Sequence, residues 1–352
     1  MRAAYDIWLP GGRVLKTTPV FDTYWRFASE RQDIFMRRVL GTASPWTEDP
    51  ILDKYRFTNA YRASDRVSQY LIRHVIYEGS QKAEEVFFRT MLFKLFNKIE
   101  TWEILYSRLG ALTWEEFSFD AYANVLDGLL EEGKRIYSAA YIMPSPAFGS
   151  PRKHRNHLRL IEHMMADGAP KKMARTGSLR GAFELLRSYP SLGDFLAFQF
   201  AIDINYSELT NFSEMEFVVA GPGARDGISK CFSDTAGLNE AEIIQVMAER
   251  ADAEFERLGV RFQSLWGRSL QLIDCQNIFC EVSKYARVAH PEIKGESGRT
   301  RIKQKYKPRR APILQWYPPK WGIQLQLPNK SMQRTVLRSA ADAGVDMIPF
   351  VK

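Results

Sequence analysis

Apolar positions recur at helical spacing along most of the chain. Phe21, Tyr24, Trp25, Phe27 and Phe35 predict an amphipathic helix over about residues 21–39. After the break GTASPWTEDP, a second helix is predicted from Phe57 to Tyr77. In it Asn59, Arg62, Arg66, Gln69 and Arg73 recur at steps of three and four and so share one face, bordered by Tyr61, Val67, Leu71 and Val75. Val86, Phe87, Met91, Leu95, Ile99, Trp102 and Leu105 make a core stripe over 83–109 that ends near Gly110. A helix over about 115–133 has Gly133 to close it. Further helices are predicted to about Met165 after the loop PSPAFGSP, from the N-cap Ser178 to Tyr189, and over 192–209. The capping-box pair Asn239 and Glu242 starts another that runs to Leu258 before Gly259, and a long one spans 264–287. No repeat recurs at a fixed period. The fold class predicted is mainly α.

One stretch interrupts this pattern. Phe217 to Lys230, FVVAGPGARDGISK, joins two apolar runs through Gly221, Pro222, Gly223 and Gly227. Glycine permits positive φ and close approach by another molecule, and proline fixes φ and withholds a donor, so the stretch reads as a hairpin with an outward-facing backbone. It matches neither GxGxxG nor GxxxxGK[ST]. Between helix-compatible flanks it is similar to the second half of a helix-hairpin-helix, which offers backbone N–H groups to a DNA phosphate. On that reading Gly221, Gly223 and Ala224 face DNA; the competing reading is an ordinary structural turn.

Three polar groups lie on otherwise apolar helices. Arg62, Asp65, Arg66 and Gln69 form a donor-rich cluster suited to phosphate and base edges. Gln199, Asp203 and Tyr206 share a face of the 192–209 helix, where an ionised Asp203 needs a partner; a buried network and an active site explain it equally well. Asp274, Asn277, Glu281 and Lys284 are spaced three, four and three, which puts two carboxylates, an amide and an amine on one side of the last helix. That set is the best catalytic constellation in the chain.

Composition narrows the class. With 352 residues, 45% hydrophobic and 26% charged, the chain can bury a large core. No apolar run approaches a membrane span, and the start MRAAYDIWLPGG lacks a signal-peptide apolar region, which places the protein in a cytoplasm. Three cysteines without a CxxC give neither a disulfide framework nor a thiolate zinc site. His154, His157 and His163 lack ligand spacing and sit among Arg152, Lys153 and Arg155, so they read as solvated or phosphate-facing. No metal and no cofactor are expected. Net charge is +8, and Pro291 to Arg310 alone holds eight Lys or Arg against Glu292 and Glu296. Such an arm implies a polyanion, with Lys303, Lys305, Arg309 and Arg310 as phosphate contacts, or else a solubilising tail. The domain reading is a helical catalytic domain over 1–290 and a basic extension over 291–352 that packs on it and contacts DNA.

Several phrases carry a family likeness: FTNAYRASDRVSQYLIRHVI (57–76), FFRTMLFKLFNKIETWE (87–103), AYIMPSPAFGSPRKHR (140–155), FAIDINYSE (200–208), FVVAGPGARDGISKCF (217–232) and LIDCQNIFCEVSKYAR (272–287). Over roughly residues 15 to 325 the chain resembles the bacteriophage enzymes that hypermodify thymidine, specifically the α-glutamyl/putrescinyl-thymine pyrophosphorylase group with its amino acid:DNA transferases. The resemblance implies a DNA-glycosylase-like helix-hairpin-helix fold. It implies a transferase that replaces the phosphate of a phosphorylated hydroxymethyluracil in double-stranded viral DNA with a free amino acid, commonly glycine. The same resemblance implies that a separate DNA kinase acts first, that no membrane is involved, and that the setting is the host cytoplasm, where the modification would protect viral DNA from restriction. The Asp that follows the hairpin in glycosylases would correspond to Asp274. Asp274 or Glu281 would then be the general base, and Arg62, Arg66 and Lys284 would receive the departing phosphate. The 5-hydroxymethyluracil DNA kinases share this helical domain but need a phosphate-binding loop; none is found, and the kinase reading is set aside. A glycosylase of the same fold and a non-catalytic DNA-binding protein remain as alternatives.

Overall fold

The computed structural model describes residues 5–308 and 315–325. Among them the chain is mainly α-helical, with one small sheet. In chain order come β1 (Asp6–Trp8), β2 (Val14–Thr17), α1 (Pro19–Val39), α2 (Pro50–Lys54), α3 (Arg66–Tyr70), α4 (Ala83–Phe96), α5 (Ile99–Leu109) and α6 (Phe119–Glu131). Then follow α7 (Lys153–Ala166), α8 (Ala169–Ala174), α9 (Leu179–Arg187), α10 (Asp194–Ile204), α11 (Pro222–Cys231), β3 (Phe232–Asp234), α12 (Glu240–Arg257) and α13 (Leu272–Ala289). The chain folds as two units. One runs through Ser64 and returns from Ala220 to Gln315 and from Gly322; the other is Asp65–Val219 with Trp316–Trp321.

In the first unit α1 starts sharply because Thr18 accepts a hydrogen bond from Val20 N at 3.1 Å and Pro19 fills the first turn, where its missing N–H costs nothing. Its stripe of Phe21, Tyr24, Trp25, Phe27 and Phe35 is buried, as the spacing predicts. Trp25 meets Phe255 of α12 edge-on at 5.2 Å, and the Tyr24 hydroxyl donates to Cys275 O of α13 at 3.0 Å. The sheet is antiparallel in the order β1-β2-β3 and closes over this core.

The glycine-rich stretch differs from its predicted form. Residues 217–221 carry no regular secondary structure and Pro222–Cys231 is a helix, so there is no hairpin over 217–230. None of Gly221, Gly223 or Gly227 has positive φ. The close approach they allow is made by the chain itself: a Cβ on Gly227 would lie 2.2 Å from Phe279 O, and one on Gly223 would lie 3.0 Å from Cys280 Sγ. Glycine lets α11 press its backbone against α13.

In the second unit α4 is buried nearly all round. The predicted 83–109 helix is two helices, broken where Asn97 turns left-handed (φ 49°) and starts α5 in a new direction. Lys94 and Asp203 form a buried ion pair at 2.9 Å, and Lys94 also donates to Asn97 Oδ1 at 2.9 Å. The histidine reading also changes: His154 and His157 are buried. His154 Nε2 lies 2.6 Å from Asp127 Oδ1. His157 accepts from the Tyr137 hydroxyl and donates to Pro144 O, both at 2.8 Å, and burial pushes its pKa down to about 4.

The last piece of this unit arrives from far along the chain. Lys320 Nζ donates to the carbonyls of Asn205 (2.7 Å), Ser207 (2.6 Å) and Thr210 (2.6 Å), beyond the end of α10. These carbonyls would otherwise need another cation or water. Among the described residues no helix is long and apolar enough to cross a membrane.

Candidate functional site

The face of α13 singled out by its spacing does converge. Gln271 and Asp274 make a capping box at the N-terminus, so α13 begins at Leu272 and not at 264. Asp274 is 4% exposed; its Oδ2 accepts from Gln271 N at 3.0 Å and its Oδ1 from Arg62 N at 2.8 Å. One turn on, Asn277 Nδ2 donates to Thr58 Oγ1 at 3.3 Å. Glu281 Oε2 accepts from Thr58 N at 2.9 Å and from Lys284 Nζ at 2.7 Å, while Lys284 also sits 4.5 Å above the Phe57 ring. The segment 57–62 is therefore folded onto α13 by this same set of side chains. Asp274 accepts from two backbone donors, one of them on the 57–62 turn. Glu281 and Lys284, partly open to solvent at 14% and 15%, are the members with chemistry to offer: a carboxylate kept beside an ammonium can take a proton from a hydroxyl.

Residues 57–77 do not make one helix. Arg62–Ser64 is a 3-10 turn, closed by Ser64 N on Tyr61 O (3.0 Å) and Asn59 Nδ2 on Ser64 O (2.7 Å). Asp65 then takes an extended N-cap conformation before α3, and Leu71–Ile76 widens into a π-helix. The side chains of Asn59 and Arg62 thus leave the helical register, and the single polar face of Asn59, Arg62, Arg66, Gln69 and Arg73 does not form. Arg62 is buried in the first unit. In the second, Gln69 Oε1 accepts from Trp316 N at 2.7 Å and Arg66 reaches Glu100 at 3.9 Å. Asp203 is matched by Lys94, and Tyr206 lies past the end of α10 with its ring against Trp321 at 5.6 Å. A single lysine in an apolar stripe carries no signal of its own, so periodicity does not point to Lys94.

The basic arm is held against the first unit for much of its described length. Arg56 N donates to Gln304 O and Tyr306 N to Lys54 O, both at 3.0 Å, so Lys305 pairs with Tyr55 as an antiparallel bridge. Upstream, Ser297 N donates to Asp226 Oδ1 at 2.7 Å and Glu296 N to Ser229 Oγ at 3.4 Å. Gly295 is required there, since a Cβ would lie 2.4 Å from Asp226 Oδ1. Asp226 is itself buried with Lys230 at 3.2 Å and accepts from the Ser283 hydroxyl. Burial would raise its pKa, but the hydrogen bonds from Ser283 and Ser297 and the Lys230 ammonium outweigh that and hold it at about 2. Pinned in this way, the arm leaves Lys294, Arg299, Arg301, Lys303, Lys305 and Lys307 exposed. Arg309 and Arg310 lie outside the described residues.

Comparison with known proteins adds the family. A family model described as "5-hmdU DNA kinase, helical domain" matches residues 18–295. A 5-hmdU DNA kinase of Bacillus phage SP10 is 27% identical over 286 residues, which are 76% of this chain and 45% of that protein. The chain thus spans less than half the length of the curated relative it matches. No solved structure matches. These matches correct the resemblance to the α-glutamyl/putrescinyl-thymine pyrophosphorylase group, and with it the amino acid:DNA transferase activity, the amino acid donor and the prior action of a separate kinase. The kinase reading was set aside for want of a phosphate-binding loop. The matched segment is a helical domain that contains no such loop in this chain, so that absence does not argue against membership.

Proposed function

The chain belongs to the 5-hmdU DNA kinase helical-domain family, and from that premise we propose that it acts in phosphorylating 5-hydroxymethyluracil in phage DNA, a step of thymidine hypermodification in the infected cell. The match over residues 18–295 carries the reading. The part of the reaction assigned to this chain is the acceptor side: it holds the DNA and presents the hydroxymethyl oxygen to a phosphoryl donor. The sequence has no GxxxxGK[ST] run, and more than half of the phage SP10 kinase lies outside the match, which leaves the donor's phosphates to a further segment or partner.

Two features support this division. The exposed cations of the 294–307 arm are spread along an anchored segment, which suits a phosphate backbone better than a single phosphate. The Glu281–Lys284 pair supplies what an acceptor hydroxyl needs: as the new O–P bond forms and the donor's bridging P–O bond breaks, the hydroxymethyl proton passes to the Glu281 carboxylate, and Lys284 steadies the charge. Asp274 holds the 57–62 turn in place for this pair. Gly221 and Ala224 are buried and Gly223 packs against Cys280, so the start of α11 is assigned no phosphate contact.

The test uses duplexes with 5-hydroxymethyluracil or thymine at one position, incubated with the chain and γ-labelled ATP and then digested to nucleosides for mass spectrometry. A phosphorylated hydroxymethyl nucleoside places the whole reaction in this chain. Binding that prefers the hydroxymethyl duplex without labelling places it on the acceptor side alone. Equal or absent binding to both duplexes overturns the proposal.

A further inference from the structure

A cavity of about 750 Å³ opens between α1 and the C-terminal end of α13, and every residue around it belongs to the first unit. Small-molecule sites span roughly 300–1,000 Å³. Of its lining, Phe27 and Ser29 are buried while Arg26 and Glu48 are exposed, so it has a closed floor and an open mouth. The cavity adjoins the Glu281–Lys284 pair. Glu281, Tyr285 and Ala289 follow at steps of four on one side of α13, and the last two line the cavity. The Tyr285 ring lies 6.0 Å from the Phe57 ring, over which Lys284 sits, and Phe27 meets Phe57 at 5.3 Å and Tyr285 at 5.4 Å. Cavity and pair thus share one aromatic wall.

Most polar groups around the cavity are engaged by the protein. Asp49 Oδ1 accepts from Ile51 N (2.7 Å) and Leu52 N (3.0 Å), and its Oδ2 accepts from the Tyr285 hydroxyl (2.6 Å). His290 Nε2 lies 2.7 Å from Thr23 Oγ1. Glu30 differs. The Thr47 hydroxyl holds its Oε1 at 2.6 Å, and among the described residues its Oε2 has no hydrogen-bond partner. Arg26, at the mouth, makes no hydrogen bond or ion pair among the described residues. Three carboxylates, of Glu30, Glu48 and Asp49, against the guanidiniums of Arg26 and Arg37 disfavour a nucleoside triphosphate but not an uncharged base.

We propose, resting on the acceptor-side reading above, that this cavity receives the 5-hydroxymethyluracil base drawn out of the duplex and that Glu30 Oε2 accepts its N3–H. A base whose C5 substituent must meet a second substrate away from water is best drawn from the stack into a pocket. Uracil presents one N–H between two carbonyls. A carboxylate already fixed by Thr47 meets the N–H, and Arg26 supplies donors for a carbonyl. Cytosine has a bare acceptor at N3, which the same carboxylate repels. Tyr285, one turn from Glu281, brings the cavity up to the pair that acts on the hydroxymethyl oxygen.

The affinity of the full chain is measured by filter binding for three duplexes that carry 5-hydroxymethyluracil, 5-hydroxymethylcytosine or thymine at one position, each opposite an abasic site so that all leave the stack at similar cost. The wild-type chain is expected to bind the hydroxymethyluracil duplex about tenfold or more tightly than the hydroxymethylcytosine duplex, the worth of one hydrogen bond to a charged group. Glu30→Gln, whose amide offers a donor as well as an acceptor, is expected to bring that ratio near one. Ala289→Trp, which fills the cavity from the end of α13, is expected to weaken binding of the hydroxymethyluracil duplex to the level of the thymine duplex. Both variants should keep the wild-type melting temperature and salt dependence. A wild-type preference that survives in either variant overturns the pocket and leaves the acceptor-side reading standing, as does a wild-type chain that favours both hydroxymethyl duplexes alike over thymine. A wild-type chain that binds all three duplexes equally overturns both.

Discussion

A glycine with ordinary φ looks replaceable until its neighbours are placed. Gly227 sits inside α11 at a helical conformation, where alanine has the better intrinsic propensity. The Cβ that alanine adds would lie 2.2 Å from Phe279 O and 2.7 Å from Phe279 C, backbone atoms that cannot turn aside. Gly227→Ala is therefore expected to destabilise the protein by about 3 kcal/mol, against a gain near 1 kcal/mol for the same change on an open helix, as read from urea unfolding. The sequence marked these glycines as special but not the reason, because GPGARDG is compatible with a turn, a ligand loop or a tight helix crossing. The partner that decides among them, α13, lies about fifty residues away. Asp274 shows the same limit. Its place on a polar helix face was legible, whereas its bond to Arg62 N depends on a turn that periodicity misread as helix.

Elements with a strong stripe and a marked cap were readable from residues alone: α1, α9 and α12 fall within a few residues of their predicted bounds. Failures came where a local backbone event left no compositional trace, as at left-handed Asn97 and at the π-helix Leu71–Ile76. The basic arm was legible as charge but not as structure, because its pairing with residues 54–56 uses backbone groups. That pairing gives the arm a testable property. If its exposed cations follow a DNA backbone, neutralising Lys303, Lys305 and Lys307 together is expected to lower the slope of log K against log salt by about 3 while leaving the melting temperature nearly unchanged. An unaltered slope in a filter-binding titration assigns the arm another role.

Across the whole molecule, each unit keeps a buried carboxylate ionised. In the first it is Asp226, held at about 2 as described. In the second it is Asp127, where burial again opposes ionisation and hydrogen bonds from Arg155, Arg152 and His154 prevail, also at about 2. Both sit below the ordinary aspartate value, so each contributes stability that is complete above about pH 4 and is lost as pH falls toward about 2. An acid limb in that window is expected for the wild-type protein in urea-midpoint measurements, and Asp226→Asn should flatten part of it. The family, too, was legible only in part. Shared phrases led to a transferase group, whereas the family model that matches is the helical domain of a kinase, because a helical domain records what it folds like and not which chemistry it serves. The Lys320 contact bears on how the protein is made. Translation delivers the carbonyl of Thr210 110 residues before the ammonium that meets it. On the ribosome that cluster of oxygens must rest on water or on a potassium ion borrowed from the cell. The second unit reaches its finished form only after Trp321 has cleared the exit tunnel, so a chain interrupted anywhere in the intervening hundred residues leaves behind a nascent fragment whose last seam stays open to chaperones and proteases.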